Sequence, residues 1–408
     1  MSGAGRRRSP VISRSAAALL TLVAGAGGAG CAIHSSGTSI GQKPPAAPVG
    51  VVGQPAPAGT GFLTAVSCGS VRDCWAVGQP PAGALTAPAG ATTVVIDATV
   101  DGGTSWRPET VAVLGPTSLT SISCPTAGTC MAVGSTDITS AVVGAVLVTT
   151  DGGRTWTSVG PPSGSVDLSA VTCAAAGDCL VLASSGAGWW SASTSDGGQV
   201  WQRTGNLPTG FDGASSLACN GPTQCVTVGY VTKAQGQGTG AVAVTDDGGG
   251  TWAAGTVPAG TGLLHGVACP TLLSCIAVGT TATATTDITP ASSQLLTSTD
   301  GGHTWTGLSA PAGVDDAYSI ACPTTTTCIT VGTRWTSAKP PTPTGGVVVS
   351  TDAGTSWTDP PLRYLPSGLT AVACPASTTC VTTGGDVVAQ VVLPTPARPR
   401  SSGRGSQN

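Results

Sequence analysis

Leu63-Thr64-Ala65-Val66-Ser67-Cys68, then Cys74-Trp75-Ala76-Val77-Gly78 and, after a gap, Asp101-Gly102-Gly103-Thr104-Ser105-Trp106: this stretch decides the fold, because the chain repeats it. Cys68, Cys124, Cys173, Cys219, Cys269, Cys322 and Cys374 are each followed six positions later by a second cysteine, at Cys74, Cys130, Cys179, Cys225, Cys275, Cys328 and Cys380. The spacing between units runs from 46 residues (Cys173 to Cys219) to 56 (Cys68 to Cys124). Each unit opens with two short apolar runs around its cysteines. A third run, like Val348-Val349-Ser350-Thr351-Asp352, follows, and a fourth begins at the tryptophan of the Asp-Gly-Gly element. Four short strands in about fifty residues is the size of a propeller blade. Seven units therefore predict an all-β, seven-bladed propeller with four-stranded blades. A blade cannot bury both faces alone, so the units must stack around an axis.

Composition supports the β reading. Of 408 residues, 40% are hydrophobic and only 9% charged, with Gly 60 and Pro 31. Small Ala, Gly and Thr supply most of the apolar count, and no window reaches the 18 consecutive apolar residues of a spanning helix. Good helix formers are scarce: Glu109 is the single glutamate, and Met occurs twice. A net charge of -3, with no basic run beyond the N-terminal segment, argues against a nucleic-acid partner.

Residues 1–30 read as a signal peptide. Arg6, Arg7, Arg8 and Arg14 precede an apolar run from Ala16 to Gly30. Gly28-Ala29-Gly30-Cys31 resembles a bacterial lipobox, with Gly28 where Leu is preferred. Cys31 is the one cysteine of 15 outside the seven pairs, so lipidation would give it a role. Ser9 and Pro10 stand where a twin-arginine signal would carry apolar residues. Residues 31–60 then read as a lipidated Cys and a disordered tether, 61–393 as the propeller and 394–408 as a disordered tail. The expected location is outside the cytoplasm, as a lipoprotein on the outer face of the cytoplasmic membrane or as a secreted protein.

The element Asp-Gly-Gly-x-Thr-Trp occurs six times, at Asp101–Trp106, Asp151–Trp156, Asp196–Trp201, Asp247–Trp252, Asp300–Trp305 and Asp352–Trp357, each with Ser or Thr two residues before the Asp. It resembles the Asp-box of BNR-repeat propellers, a group that includes bacterial sialidases, sortilin-type receptors and photosystem II assembly factors. The resemblance implies a structural turn: the Asp accepts backbone N–H bonds, a Gly supplies positive φ, and the Trp inserts between sheets. Ala353 replaces the first Gly, and Ser105, Val200 and Ser356 replace the Thr. The second Gly never varies, which predicts that it is the positive-φ position. One carboxylate per turn cannot satisfy Ca²⁺.

The cysteine pairs suggest hairpin disulfides. Zinc would need four ligands per site, and only His34, His265 and His303 are available beside them, so no metal or cofactor is expected. Each bridge would contribute about 2 kcal/mol through loop entropy. In an up-and-down blade, the first-to-second and third-to-fourth turns share one rim, so disulfides and Asp-boxes should crowd together. The opposite rim would carry the variable gaps 79–92, 230–240, 279–294 and 334–344, where binding is usually built. Candidate binding residues there are Trp189, Trp190, Tyr230, Lys233, Arg334, Trp335 and Lys339. The seventh unit has Val387–Val392 but no Asp-box, so closure is expected from residues 48–52, pairing as its outer strand.

No catalytic parts list is complete. The sialidase resemblance would require an Arg triad, a Tyr nucleophile activated by Glu, and an Asp acid/base. Glu109 lies in a structural strand position, the tyrosines are Tyr230, Tyr318 and Tyr364, and Asp315-Asp316 is the least ordinary carboxylate pair. No G-x-S-x-G, Walker, H-E-x-x-H or Rossmann motif occurs. The expected function is a monomeric, non-catalytic, protein-binding scaffold at the cell surface, touching the membrane only through its lipid. Cell-wall or glycan binding is the second reading and a sialidase-like hydrolase the third.

Overall fold

The computed structural model describes residues 49–81, 94–109, 111, 117–138, 141–232, 238–281, 292–338 and 340–394. The expected signal peptide and tail, Cys31, Lys233 and Lys339 lie outside the described residues, save Pro394, which is buried.

The fold is a seven-bladed β-propeller. Blades 1 to 5 are four-stranded meanders in simple order. Blade 1, for example, comprises Phe62–Cys68, Cys74–Gln79, Val95–Thr99 and Arg107–Pro108. The first strands of successive blades touch one another in a closed ring, blade 7 meeting blade 1, and so surround the axis. Alternation along the strands gives each sheet two apolar faces, and the core is the set of seams between them. Trp75, Val77, Ile96 and Ala98 of blade 1 thus pack with Leu119, Ile122, Leu147 and Trp156 of blade 2.

All seven cysteine pairs are hairpin disulfides within their own blades, from Cys68–Cys74 to Cys374–Cys380. The Asp-Gly-Gly turns lie against these hairpins. The residue after each turn Asp donates its N–H to a hairpin carbonyl of the same blade: Gly102 to Arg72 O at 2.9 Å, Gly248 to Thr223 O at 2.8 Å, and Ala353 to Thr326 O at 2.8 Å. Disulfides and turns therefore share one rim, as the meander requires.

Within the turn, the Thr99 hydroxyl donates to Asp101 Oδ1 (2.8 Å) and accepts the Gly103 N–H (3.0 Å), while Ser105 donates its N–H to Asp101 Oδ1 at 2.9 Å. The same pattern recurs around Asp151, Asp196, Asp247, Asp300 and Asp352. These bonds favour the ionised form. The Ser105 hydroxyl above all holds Asp101 down at about 2, and the Thr251 N–H above all holds Asp247 down at about 2. The expectation of one positive-φ glycine is corrected: both glycines are left-handed, Gly102 at 75° and Gly103 at 94°, and Ala353 is itself at 58°. The second glycine is invariant for a further reason. It packs on the preceding blade, against the residue that follows that blade's second cysteine: Val381 at Gly103, Trp75 at Gly153, Val226 at Gly302.

Ring closure comes from the N-terminal side. Gly50–Pro55 pairs antiparallel with Val387–Val392 as a fourth strand of blade 7. The tether assigned to 31–60 must therefore end before Gly50, because Val51 is 2% exposed in the blade 7 core. Blade 6 departs from the four-stranded pattern. It has Asp316–Ala321, Cys328–Trp335 and Pro343–Ser350, and beyond these a single bridge, Val349 to Thr358. Pro360 and Pro361 lack the N–H groups that would continue a ladder. The chain crosses instead to blade 7, where Leu362–Arg363 runs parallel to Val51–Val52 as a fifth strand.

Candidate functional site

The rim opposite the disulfides gathers two clusters of the expected binding residues. Between blades 3 and 4, the Trp189 indole N–H donates to Asp212 O at 2.9 Å. Asp212 donates its own N–H to Tyr230 O at 3.0 Å and accepts the Thr232 N–H on its carboxylate at 2.5 Å. Trp189 and Tyr230 are half-buried, and the Tyr230 ring lies across Gly213, where a Cβ would come within 2.2 Å of it. Trp190 is a correction: it is 1% exposed in the seam of blades 2 and 3, with the Arg203 guanidinium 4.4 Å from its ring centroid. Adjacent strand residues point to opposite faces, so the two tryptophans enter different seams, Trp190 that of blades 2 and 3 and Trp189, half-buried, that of blades 3 and 4.

The second cluster lies on blade 6. Asp315 Oδ2 accepts the Trp335 backbone N–H at 2.7 Å, and Asp316 Oδ2 accepts its indole N–H at 2.8 Å. The Asp315-Asp316 pair thus anchors Trp335. Arg334, a residue expected to grip a ligand, is already engaged: it donates to Gly313 O at 2.8 Å and forms an ion pair with Asp359 at 2.6 Å. Its partner stands 25 residues along the chain, beyond the reach of a local reading. Burial raises the Asp316 carboxyl above its ordinary value, against the indole bond that lowers it.

Sequence reasoning missed the residues next to Asp316. The first strand of blades 1 to 6 carries a bulge near its start, at Thr64, Thr120, Ser169, Ser215, His265 and Tyr318. Thr370 matches them in blade 7. The Thr64 hydroxyl donates to Leu119 O of the next blade at 2.7 Å and lies 3.1 Å from Val77 O of its own. Thr120 reaches Leu168 O at 2.6 Å and Thr370 reaches Leu63 O at 2.8 Å in the same way. The three threonine hydroxyls thus tie neighbouring inner strands around the axis, whereas the buried Ser169 Oγ of blade 3 has no hydrogen-bond partner among the described residues. Blades 5 and 6 break the pattern with His265 and Tyr318, whose ring centroids are 5.3 Å apart. The strands approach closely enough because position 266 is glycine: a Cβ there would lie 3.0 Å from Tyr318 O. Burial lowers the His265 imidazole, while burial and then the Asp316 charge raise the Tyr318 phenol. Aligning the units on their first cysteine exposes this departure.

A cavity of about 260 Å³ lies on the rim opposite the disulfides within blade 2, lined by Thr117, Ile138, Gly144 and Pro161, and two larger concavities are wedges between blades on the disulfide rim. One of about 550 Å³ lies between blades 3 and 4, lined by Asp178, Ser193 and Pro222, and one of about 510 Å³ lies between blades 1 and 2, beside Asp73, Arg107, Asp151 and Arg154. Glu109 is buried in the seam of blades 1 and 2. It accepts the Trp156 indole N–H at 2.6 Å and faces Arg107 at 3.5 Å. Tyr230 and Tyr318 belong to blades 4 and 6, so the geometry does not bring glutamate and tyrosine together there. Among the described residues, no group of three or more His, Cys, Asp or Glu is placed to hold a metal ion.

No protein-family profile matches the chain, and no curated protein matches it by sequence. Solved propellers match its fold. YCF48 bound to D1 peptide aligns over 85% of this chain and 97% of its own, with 16% identity and a TM-score of 0.58. Virginiamycin B lyase from Staphylococcus aureus aligns over 85% and 99%, with 11% identity and a TM-score of 0.55. The WD40 propeller domain of Doa1 aligns over 85% and 98%, with 10% identity and a TM-score of 0.52. At these identities the likeness is one of fold, and it is shared by a lyase and non-enzymes alike.

Proposed function

We propose that the chain is a non-catalytic Asp-box propeller that works outside the cytoplasm as a protein-binding scaffold, offering the rim opposite the disulfides to its partner. The observation that carries this reading is the likeness to YCF48 in its peptide-bound form, together with a rim whose aromatic and acidic side chains are held in place by hydrogen bonds to backbone and to one another. Seven disulfides suit an oxidising compartment. The six repeated turns, with their Ser/Thr–Asp–Gly hydrogen bonds, support the Asp-box assignment. Cross-linking in intact cells, followed by recovery of the chain, tests the scaffold: reproducible protein adducts through rim residues are expected, and recovery of the chain alone counts against it.

Lipidation at Cys31 would tether the ring, since a diacylated cysteine is a stable two-chain anchor. Cys31→Ala is expected to move the protein from the membrane fraction to the soluble fraction, and unchanged retention would defeat the lipoprotein reading. A fluorogenic sialoside is expected to remain intact in the presence of the pure chain. Turnover that co-purifies with it would reinstate a hydrolase.

A further inference from the structure

We propose that His265 and Tyr318, with the Asp316 carboxylate near them, form a binding site for a cationic side chain, an arginine or lysine presented by an extended segment of the partner protein. This rests on the scaffold reading above and names the chemistry by which the partner is held. Blades 1, 2, 3, 4 and 7 carry only a small hydroxyl side chain at this position, and in blades 1, 2 and 7 it ties neighbouring strands. Blades 5 and 6 place an imidazole and a phenol there instead, in ring contact near the axis. Two residues before Tyr318 on the same strand, and close enough for its charge to act on the phenol, stands the Asp316 carboxylate, whose Oδ2 takes the Trp335 indole N–H.

The charges around the cluster favour a cation. The ion pairs of the described residues are Arg107–Glu109, His303–Asp246 and Arg334–Asp359, and none of them uses Asp315 or Asp316. Burial keeps the His265 imidazole uncharged at neutral pH, so it does not repel a cation. The Tyr318 ring, braced by His265 and near a partly desolvated carboxylate, can stack on one face of a guanidinium while the carboxylate accepts a charge-assisted hydrogen bond from it. The same arrangement offers little to an anion.

The test is titration calorimetry of the full chain with two blocked peptides, acetyl-Gly-Arg-Gly-Arg-Gly-amide and its Gln counterpart. The Arg peptide is expected to bind saturably and more weakly as salt is added, and the Gln peptide not to bind. His265→Thr/Tyr318→Thr installs the residues that blades 1, 2 and 7 already carry, so the fold should persist. It is expected to weaken the Arg peptide at least about tenfold, the size of one desolvated cation–π contact. Asp316→Asn keeps an acceptor for the Trp335 indole and should weaken binding to a similar degree. Equal binding of the two peptides, or undiminished binding by the double variant, overturns the site, as does no binding by the native chain. Where cross-linked partners persist in the double variant, the site falls and the scaffold stands; where the native chain captures no partner, the scaffold falls.

Discussion

The native chain is expected to lose stability between about pH 4 and pH 6, and Asp97→Asn is expected to flatten that fall. Asp97 is 1% exposed on the third strand of blade 1, and its Oδ2 accepts the Thr60 hydroxyl at 2.7 Å. Burial raises its pKa from 3.8 to about 6, with the Thr60 bond opposing and the Glu109 charge adding. A carboxyl raised in the folded state favours folding fully below its unfolded value and loses that contribution as pH rises through the folded one. A shift of this size corresponds to about 3 kcal/mol lost by neutral pH. Asparagine keeps the Thr60 bond without the charge, though its amide N–H groups need partners. The readout is therefore the difference in melting temperature between pH 4 and pH 7, not its absolute value. Glu109, Asp167 and Asp316 are raised too, so part of the fall should remain, but a variant with the full native difference would show that Asp97 is not among the groups responsible. The turn aspartates do not confuse the window, because their lowered values affect stability only at more acidic pH.

Gly153→Ala should destabilise the ring far more than Gly197→Ala, although both glycines have left-handed backbones in equivalent turns. At Gly153 (φ 82°) a Cβ would sit within 2.5 Å of Trp75 Nε1 and of Glu109 Oε2, in the seam of blades 1 and 2. At Gly197 (φ 74°) it would meet nothing within 4 Å. Left-handed strain costs about 1–2 kcal/mol in either place, and overpacking adds about 1–3 at Gly153 alone. Ala353→Gly is the reverse case: relief of strain at φ 58°, less the entropy of a freer unfolded chain, is expected to stabilise by about 0.5–1 kcal/mol. Non-reducing thermal melts of the three variants check the order, and equal losses at Gly153 and Gly197 would refute the packing argument.

Most of the fold was legible because repetition amplifies weak signals. One C-x5-C or one Asp-Gly-Gly says little, but the same offsets in successive units establish strand order, hairpin pairing and the shared rim. Closure was legible for the opposite reason: the seventh unit lacks a tryptophan turn, and only residues 48–52 could replace the missing strand. The fourth strand of blade 6 was not legible, since its sequence still carries a turn and a tryptophan and the diversion begins only at Pro360-Pro361. The rim residues were legible as a set but not individually. Strand parity, which sends Trp190 and Trp189 to seams on opposite faces of blade 3, depends on pairing register, and the Arg334–Asp359 ion pair depends on a contact between different strands. His265 and Tyr318 were visible in principle, as departures from a Thr or Ser column, once the bulge showed that the column has a job.

The fifth strand of blade 7 gives the ring a mechanical property. Any tension on the chain upstream of residue 49 is delivered to Gly50–Pro55, and peeling must begin where Gly50 faces Val392. The extra strand sits at that point: Leu362 and Arg363 flank Val51 and Val52 on the other edge, so the first residues to be pulled are gripped from both sides. Gln54 adds a lateral hold farther along, donating to Gly103 O and Thr104 O of blade 1 at 3.0 Å each. The sheet that closes the circle is thus also its clamp, reinforced where a pull from the N-terminal side would start to open it.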